Sequence, residues 1–535
     1  MRNFWFGVVC GLAFAILLSA AGLWLVPWWM ARAPRVAAGS TLVLTLGGTI
    51  AEREPVDLSL LGAEPPWTTL RLWETLRKAA ADPRIAAVLL MPEKPGAGWA
   101  KLAEIRGALL AFRKTGKPVV AFLRGPNSRD FYLATAANRI AISPGDWVDV
   151  KGLRAELLYA RGTLDKLGIL PEFEAIGRYK DGADILTRPA PTAETREVIN
   201  SMLDHRLQEL IGAISAGRKK TPERVREILD HGPFIASEAL SSGLVDATEF
   251  EDQTRAELAR QLKQAELKTI AAADYQRVRA SAVGLGGKQK IAFLVAEGDI
   301  LRAPIPMVAA DVLDPASFVK TIRRVRDDTK MRAAILRIDS PGGDAIASDE
   351  MLRELRLLAV KKPLIVSMSD VAASGGYALA LSGHLLVAYP QTVTGSIGVF
   401  FGKLTLSGLY EKLGLHKEVF TRGRFADIDS DARPLTPEAR QKLRDSLQKV
   451  YSGFVGQVAA ARKRKYEEID PIAQGRVWLG SEAKDRGLVD ELGGIDRAVE
   501  LAKQRAGIAL QEPVNIEAFP EKPGLRGAIQ GRISL

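Results

Sequence analysis

Ser237-Glu238-Ala239 followed by Gly243-Leu244-Val245-Asp246 returns 244 residues later as Ser481-Glu482-Ala483 followed by Gly487-Leu488-Val489-Asp490. A similar spacing recurs upstream. Lys166-Leu167-Gly168 matches Lys412-Leu413-Gly414, and Gly177-Arg178-Tyr179-Lys180-Asp181 matches Gly423-Arg424-Phe425-Ala426-Asp427. The chain is a tandem duplication. The first copy opens on the strand-like run Thr41-Leu42-Val43-Leu44-Thr45-Leu46, the second on Lys290-Ile291-Ala292-Phe293-Leu294-Val295. Helical periodicity follows at 72–81 and 318–327, then buried-strand runs at 85–90 and 332–338. A further helix pattern leads to strands at 118–122 and 363–366. Strands alternating with helices predict right-handed βαβ units and a mostly parallel sheet in each copy. The copies span 39–250 and 287–505, with a charged helical connector at 251–286 and a loose tail at 506–535.

Both copies are large enough for a full core within a chain of 535 residues. The net charge is +11, but the basic residues are scattered along helix-like segments, not interleaved with aromatics in a stripe. That pattern describes a solvated surface and argues against a nucleic-acid partner. The single cysteine, Cys10, lies in the apolar N-terminal run, so the rest of the chain has neither disulfide nor thiol nucleophile. The four histidines, His205, His231, His384 and His416, show no metal-ligand spacing, and no metal or cofactor is expected.

Residues 4–31 contain no charge, with Trp5 at one end and Trp28-Trp29 at the other. About 20 apolar residues cross a bilayer, and aromatic residues gather at its interfaces. The apolar core of a cleaved signal peptide is about 7–15 residues. Residues 1–33 are therefore expected to form one transmembrane helix that stays attached. Arg2 on one side and Arg32 and Arg35 on the other leave charge alone unable to orient it.

The copies differ where chemistry is expected. Asp339-Ser340-Pro341-Gly342-Gly343 ends one predicted strand of the second copy, and Asp370-Val371-Ala372-Ala373-Ser374-Gly375-Gly376-Tyr377 ends the next. Such strand ends are where parallel sheets bind ligands. Ser374 falls at a helix start, where free N–H groups suit an oxyanion. The candidate donors are Gly375 and either Gly342 or Gly343. Taken alone, Ser-Gly-Gly also fits an ordinary helix N-cap. The first copy separates the two readings: it has Pro95-Gly96-Ala97 and Arg129-Asp130-Phe131-Tyr132 at these places, so the fold does not require the serine. Conversely, Lys180 of the first copy stands where the second has Ala426. A serine needs a base to become a nucleophile, and a lysine serves once burial lowers its pKa. Ser396, in Thr394-Gly395-Ser396-Ile397-Gly398, is the candidate to orient that amine.

Asp339-Ser340-Pro341-Gly342-Gly343, Ala373-Ser374-Gly375-Gly376-Tyr377 and Thr394-Gly395-Ser396-Ile397-Gly398-Val399, in this order, resemble the long tandem form of the bacterial signal peptide peptidase A family, peptidase family S49. The resemblance spans both copies and the apolar N-terminus. It implies a duplicated crotonase/Clp-protease-like α/β domain, a Ser374 nucleophile with Lys180 as general base, and an acyl-enzyme mechanism. It further implies hydrophobic peptide substrates such as cleaved signal peptides, a homotetrameric ring, and an inner-membrane anchor with the catalytic region in the periplasm. Arg337-Ile338-Asp339 and Ala378 depart from the family pattern at the strand end and beside the groove. Two rival readings remain open. One is a membrane-tethered oligomeric scaffold with a vestigial protease site. The other is an acyl-CoA enzyme of crotonase type, which rests on fold analogy alone.

Overall fold

The computed structural model describes residues 34–54, 66–302 and 312–520. The expected membrane segment lies outside them, and among the described residues no helix is long and apolar enough to cross a membrane. In the first copy six parallel strands run in the order Ala247–Thr248, Arg139–Ile142, Val119–Leu123, Ile85–Gly96, Ser40–Thr49, Thr269–Ala271. In the second, Val514–Phe519, Gln289–Glu297, Met331–Ser340 and Leu364–Ala373 pair in parallel, and Leu364–Ala373 also pairs with Leu385–Ala388 and Val393–Gly395. Both sheets are covered on two faces, which is why their strands read as nearly continuous apolar runs. Leu42, Leu44 and Leu46 enter one core layer while Ala87 and Leu89 enter the other.

The helices follow from their spacing. Leu72, Leu76 and Ala79 form the buried stripe of Thr69–Ala81, which Thr68 caps. Phe318, Ile322 and Val325 form that of Pro315–Asp327, capped by Asp314. Leu70 and Trp73 of the first copy pack on Ile291, Phe293 and Val295 of the second, so the copies share an apolar layer.

Two boundaries differ from the sequence reading. The expected connector contains Thr269–Ala271, which pairs with Thr41–Val43 as the edge strand of the first sheet. The expected tail contains Val514–Phe519, which pairs with Gln289–Leu294 as the equivalent edge of the second. Both are edge strands with half-exposed residues; Thr269–Ala271 is too brief for a period-2 signal, whereas Val514-Asn515-Ile516-Glu517-Ala518 does alternate, a signal the sequence reading passed over. The strands expected to end at Ile338 and Val366 continue to Ser340 and Ala373. Their polar residues Arg337, Asp339, Ser367 and Ser369 broke the apolar run. These side chains find partners buried between strands or across the copy interface.

One strand changes allegiance. Leu170–Ile176 of the first copy pairs antiparallel with Val399–Thr405 of the second. Its Glu172 and Glu174 are buried against Arg440 and Arg444 of the helix Pro437–Arg462. Lys180 follows four residues after this strand, and so the first copy's chain is carried into the second copy's territory.

Candidate active site

Ser374 ends the strand Leu364–Ala373 and precedes the helix Gly375–Ala380 at φ 53° and ψ −118°. A positive φ on a non-glycine residue is strained, and here it lifts the side chain out of the strand direction. The neighbours hold it there. The Ser374 N–H donates to the Gly395 carbonyl at 2.9 Å, and the Ala378 N–H donates to the Ser374 carbonyl at 2.9 Å.

The Gly342 and Gly343 turn lies against the serine loop. The Gly342 N–H donates to Ser340 Oγ at 3.2 Å, while the N–H groups of Gly343 and Gly375 engage no acceptor among the described residues. Of the two expected alternatives, Gly343 is therefore the one with a donor to spare, and Gly342 serves as space. A Cβ at Gly342 would stand 2.4 Å from Gly375 N and 2.9 Å from Ser374 Cβ, at a φ of +99°. Gly342→Ala is expected to lower kcat by about 10²–10³, the usual effect of spoiling an oxyanion donor, with KM changed far less. Steady-state kinetics on a short peptide ester would show it, and an unchanged kcat would remove Gly342 from the site.

Lys180 enters from the other copy. The Tyr179 N–H donates to the Gln474 carbonyl at 2.9 Å, and the Lys180 N–H closes a turn on the Gly177 carbonyl at 3.0 Å. A Cβ at Gly475 would lie 2.5 Å from Lys180 Cβ, so only glycine admits the lysine backbone here. The Nζ atom stands 3.2 Å from Ser374 Oγ, 2.9 Å from Ser396 Oγ and 3.2 Å from the Ser396 carbonyl. Burial pushes the Lys180 amine down to about 8, against the opposing pull of Asp181. The Asp181 carboxylate accepts from Thr195 Oγ1 at 2.7 Å. A neutral amine has two N–H donors and one lone pair. Three neighbouring atoms match that set: the Ser396 hydroxyl and carbonyl oxygens take the two donors, and the lone pair is left for the Ser374 hydroxyl proton.

His384 sits at the opposite end of the same strand, where its Nδ1 accepts from the Leu364 N–H at 3.1 Å. In the first copy, Arg129 stands at the serine position and reaches the Ala97 carbonyl at 3.3 Å, over the loop equivalent to the glycine pair. Sequence reasoning missed Gln474 and Gly475. Their one signal was Gly232, which stands within one residue of the corresponding place in the first copy.

Against known proteins, the family model described as Peptidase family S49 matches twice, at residues 111–266 and 356–509. The first match contains Lys180 and the second Ser374. The chain is 37% identical over 496 residues to "Serine protease SPPA, chloroplastic" of Arabidopsis thaliana, covering 92% of this chain and 72% of that one. It is 32% identical over 530 residues to "Protease 4" of Salmonella typhi, covering 94% and 84%. "Protease 4" of Haemophilus influenzae is 28% identical over 521 residues, with coverage of 92% and 83%.

Proposed function

The chain belongs to peptidase family S49 and is a serine peptidase; from that premise we propose that it is a membrane-anchored endopeptidase that degrades hydrophobic peptides, cleaved signal peptides foremost. The observation that carries this reading is Lys180 Nζ lying 3.2 Å from Ser374 Oγ, buried and with no carboxylate at ion-pair distance among the described residues. Lys180 takes the hydroxyl proton as Ser374 Oγ attacks the peptide carbonyl. The N–H groups of Gly375 and Gly343 receive the oxyanion. The proton then passes from Lys180 to the leaving amine as the C–N bond breaks. Water, deprotonated by the same amine, hydrolyses the acyl-enzyme and restores Ser374. Ser396 orients Lys180 throughout.

A preference for apolar peptides is supported by the surface beside the dyad. Phe400 is 41% exposed, and it lies next to Gly182 on the lysine loop. The uncharged run at 4–31 supports a bilayer anchor. The inner membrane of a bacterial cell, with the catalytic region on the periplasmic side, is part of the same proposal and follows from the family likeness, not from the flanking charges. The decisive test incubates the full chain in detergent with a synthetic signal peptide and a polar control peptide. Cleavage within the apolar stretch, blocked by a fluorophosphonate probe, is expected. Folded protein that neither cleaves nor takes the probe would favour the scaffold reading.

A homotetrameric ring belongs to the same proposal, and the duplication supports it. Within the chain, Leu170–Ile176 pairs with Val399–Thr405, and Glu172 with Arg440. The corresponding segments, 416–422 and 153–159, form no strand and expose Leu157, Leu158 and Phe420. Glu418 and Arg196 stand where Glu172 and Arg440 have their counterparts, and both are exposed. A head-to-tail contact that repeats between chains builds a ring when its rotation closes, and the proposal takes the closed form. Glu418→Arg is expected to lower the assembly mass in light scattering, and Glu418→Arg with Arg196→Glu to restore it. An unchanged mass in the single variant would sink this pairing.

A further inference from the structure

Lys101 belongs to the first copy, outside the dyad, yet its ammonium is buried against the second copy's catalytic loops. Nζ lies 2.7 Å from Asp339 Oδ2 and 4.0 Å from Glu52 Oε1, and it donates to the Ile50 carbonyl at 3.0 Å. Its side chain is 6% exposed. These carboxylates hold the amine well above the ordinary lysine range although burial opposes them, so it stays charged and takes no part as a base.

Asp339 immediately precedes Ser340-Pro341-Gly342-Gly343. Its Oδ1 accepts the Val371 N–H at 3.0 Å, and its carbonyl accepts the Gly298 N–H at 3.0 Å. Asp370, four residues before Ser374, faces the other way. Its Oδ2 accepts the Gly98 N–H at 2.7 Å and its Oδ1 the Lys101 N–H at 3.0 Å. Asp370 thereby caps the helix Trp99–Arg113, whose own N-cap Gly98 has no side chain to do so. The pairing of the two strands is irregular at this point: Ile338 is opposite Met368, but Ser340 is opposite Ala372. The extra residues form a bulge, a device that re-aims a side chain next to an active site.

We propose that Lys101 is a positioning residue for the peptidase reaction, pinning this bulge through Asp339 and Asp370 so that the serine loop and the glycine loop keep their separation. The inference rests on the Ser374–Lys180 reading above. It gives the first copy two roles in catalysis. That copy supplies the base, and it also sets the geometry of the nucleophile the base serves.

A pH readout follows from the same cluster. Asp339 faces Lys101 from the helix Trp99–Arg113, Asp370 from the adjacent strand and Glu52 from the first copy, with Glu297 opposite it in register and Arg337 two residues back. Burial, with the neighbouring carboxylates, pushes the Asp339 carboxyl up to about 6 despite Lys101. Protonation there releases the ammonium. The logarithm of kcat/KM in the wild type should therefore fall with slope one below the Lys180 transition and with slope two below about 6.

The test compares full-length wild type, Lys101→Met and Lys101→Met/Asp339→Asn in detergent. Melting temperature, kcat, KM and the rate of fluorophosphonate labelling are measured for each. Lys101→Met leaves a buried carboxylate unpaired and is expected to lose stability as well as kcat. The double variant removes both charges and should regain the melting temperature. It is expected to keep a kcat deficit of about 10²-fold, the scale of a 1 Å misplacement, with KM little changed and the second acid limb gone. Full activity in Lys101→Met would overturn the proposal. So would a double variant that recovers kcat together with stability, since that shows a structural role only. A wild type that resists the probe would instead bring down the dyad reading itself, and this inference with it.

Discussion

Lys180→Met is expected to cut turnover by orders of magnitude and to raise stability at pH 7. Removing a general base lowers kcat by about 10²–10⁴. Ser374→Ala removes the nucleophile and is expected to cost about 10⁶ in kcat, the scale seen when a serine nucleophile is deleted. The stability gain follows from linkage. The Lys180 amine titrates at about 8 in the folded chain against 10.5 when unperturbed. Between these values the unfolded chain binds more protons, so stability rises with pH across that window. Below it the folded protein carries a penalty of about 3 kcal/mol, because the amine must be either buried charged or deprotonated. Methionine keeps most of the volume without the charge and escapes that penalty. The activity of the wild type should climb tenfold per pH unit from about 6 to about 8 and then level off, as the free amine becomes the majority form. Probe labelling, kinetics and thermal melts of the three proteins check all of this together. A Lys180→Met variant that still labels Ser374 at the wild-type rate would refute the dyad.

Much of this geometry was legible in the chain because the two copies act as controls for each other. A serine present in one copy and absent from the other cannot be explained by the fold alone, and the same holds for Lys180 against Ala426. The strands and helices of the central layers were legible for a simpler reason. Leu42 and Leu44 face the core of the first copy, Phe318 and Ile322 that of the second, and each pair shows the spacing of its element. What stayed hidden depends on contacts between elements far apart in sequence. Arg337, Asp339 and Asp370 read as breaks in apolar strands, because their partners Glu52, Glu104 and Lys101 lie more than 200 positions away. Gln474 and Gly475 carry no chemistry of their own and matter only because the lysine turn lies on them. Which of Gly342 and Gly343 has an unused N–H depends on one rotamer, that of Ser340.

Arg337→Met is expected to destabilise the chain by about 3–5 kcal/mol, the cost of leaving buried charges without their partner. The guanidinium is fully buried between the copies. Its Nη2 reaches Glu52 Oε1 at 2.8 Å, Glu104 Oε2 at 2.6 Å and Ser369 Oγ at 3.1 Å, and its Nη1 reaches Ser367 Oγ at 2.9 Å. Two first-copy carboxylates thus depend on one second-copy cation. Without it, burial raises both carboxyls, so the variant should recover stability as pH falls toward 5, since each carboxylate gains a proton in the folded state. Arg337→Met/Glu52→Gln/Glu104→Gln should recover most of the loss at pH 7, since no unpaired charge remains. Denaturant melts at pH 5 and pH 8 separate these outcomes, and a single variant as stable as wild type at pH 8 would show that the Arg337 cluster does not hold the copies together. The catalytic consequence follows from where the dyad lies. Lys180 and Ser374 belong to different copies and meet only if the interface holds, so a loosened interface lowers the fraction of molecules in which Nζ reaches Oγ. Activity in Arg337→Met should therefore fall in step with the folded interface and return in the triple variant, although no atom of the dyad has been touched.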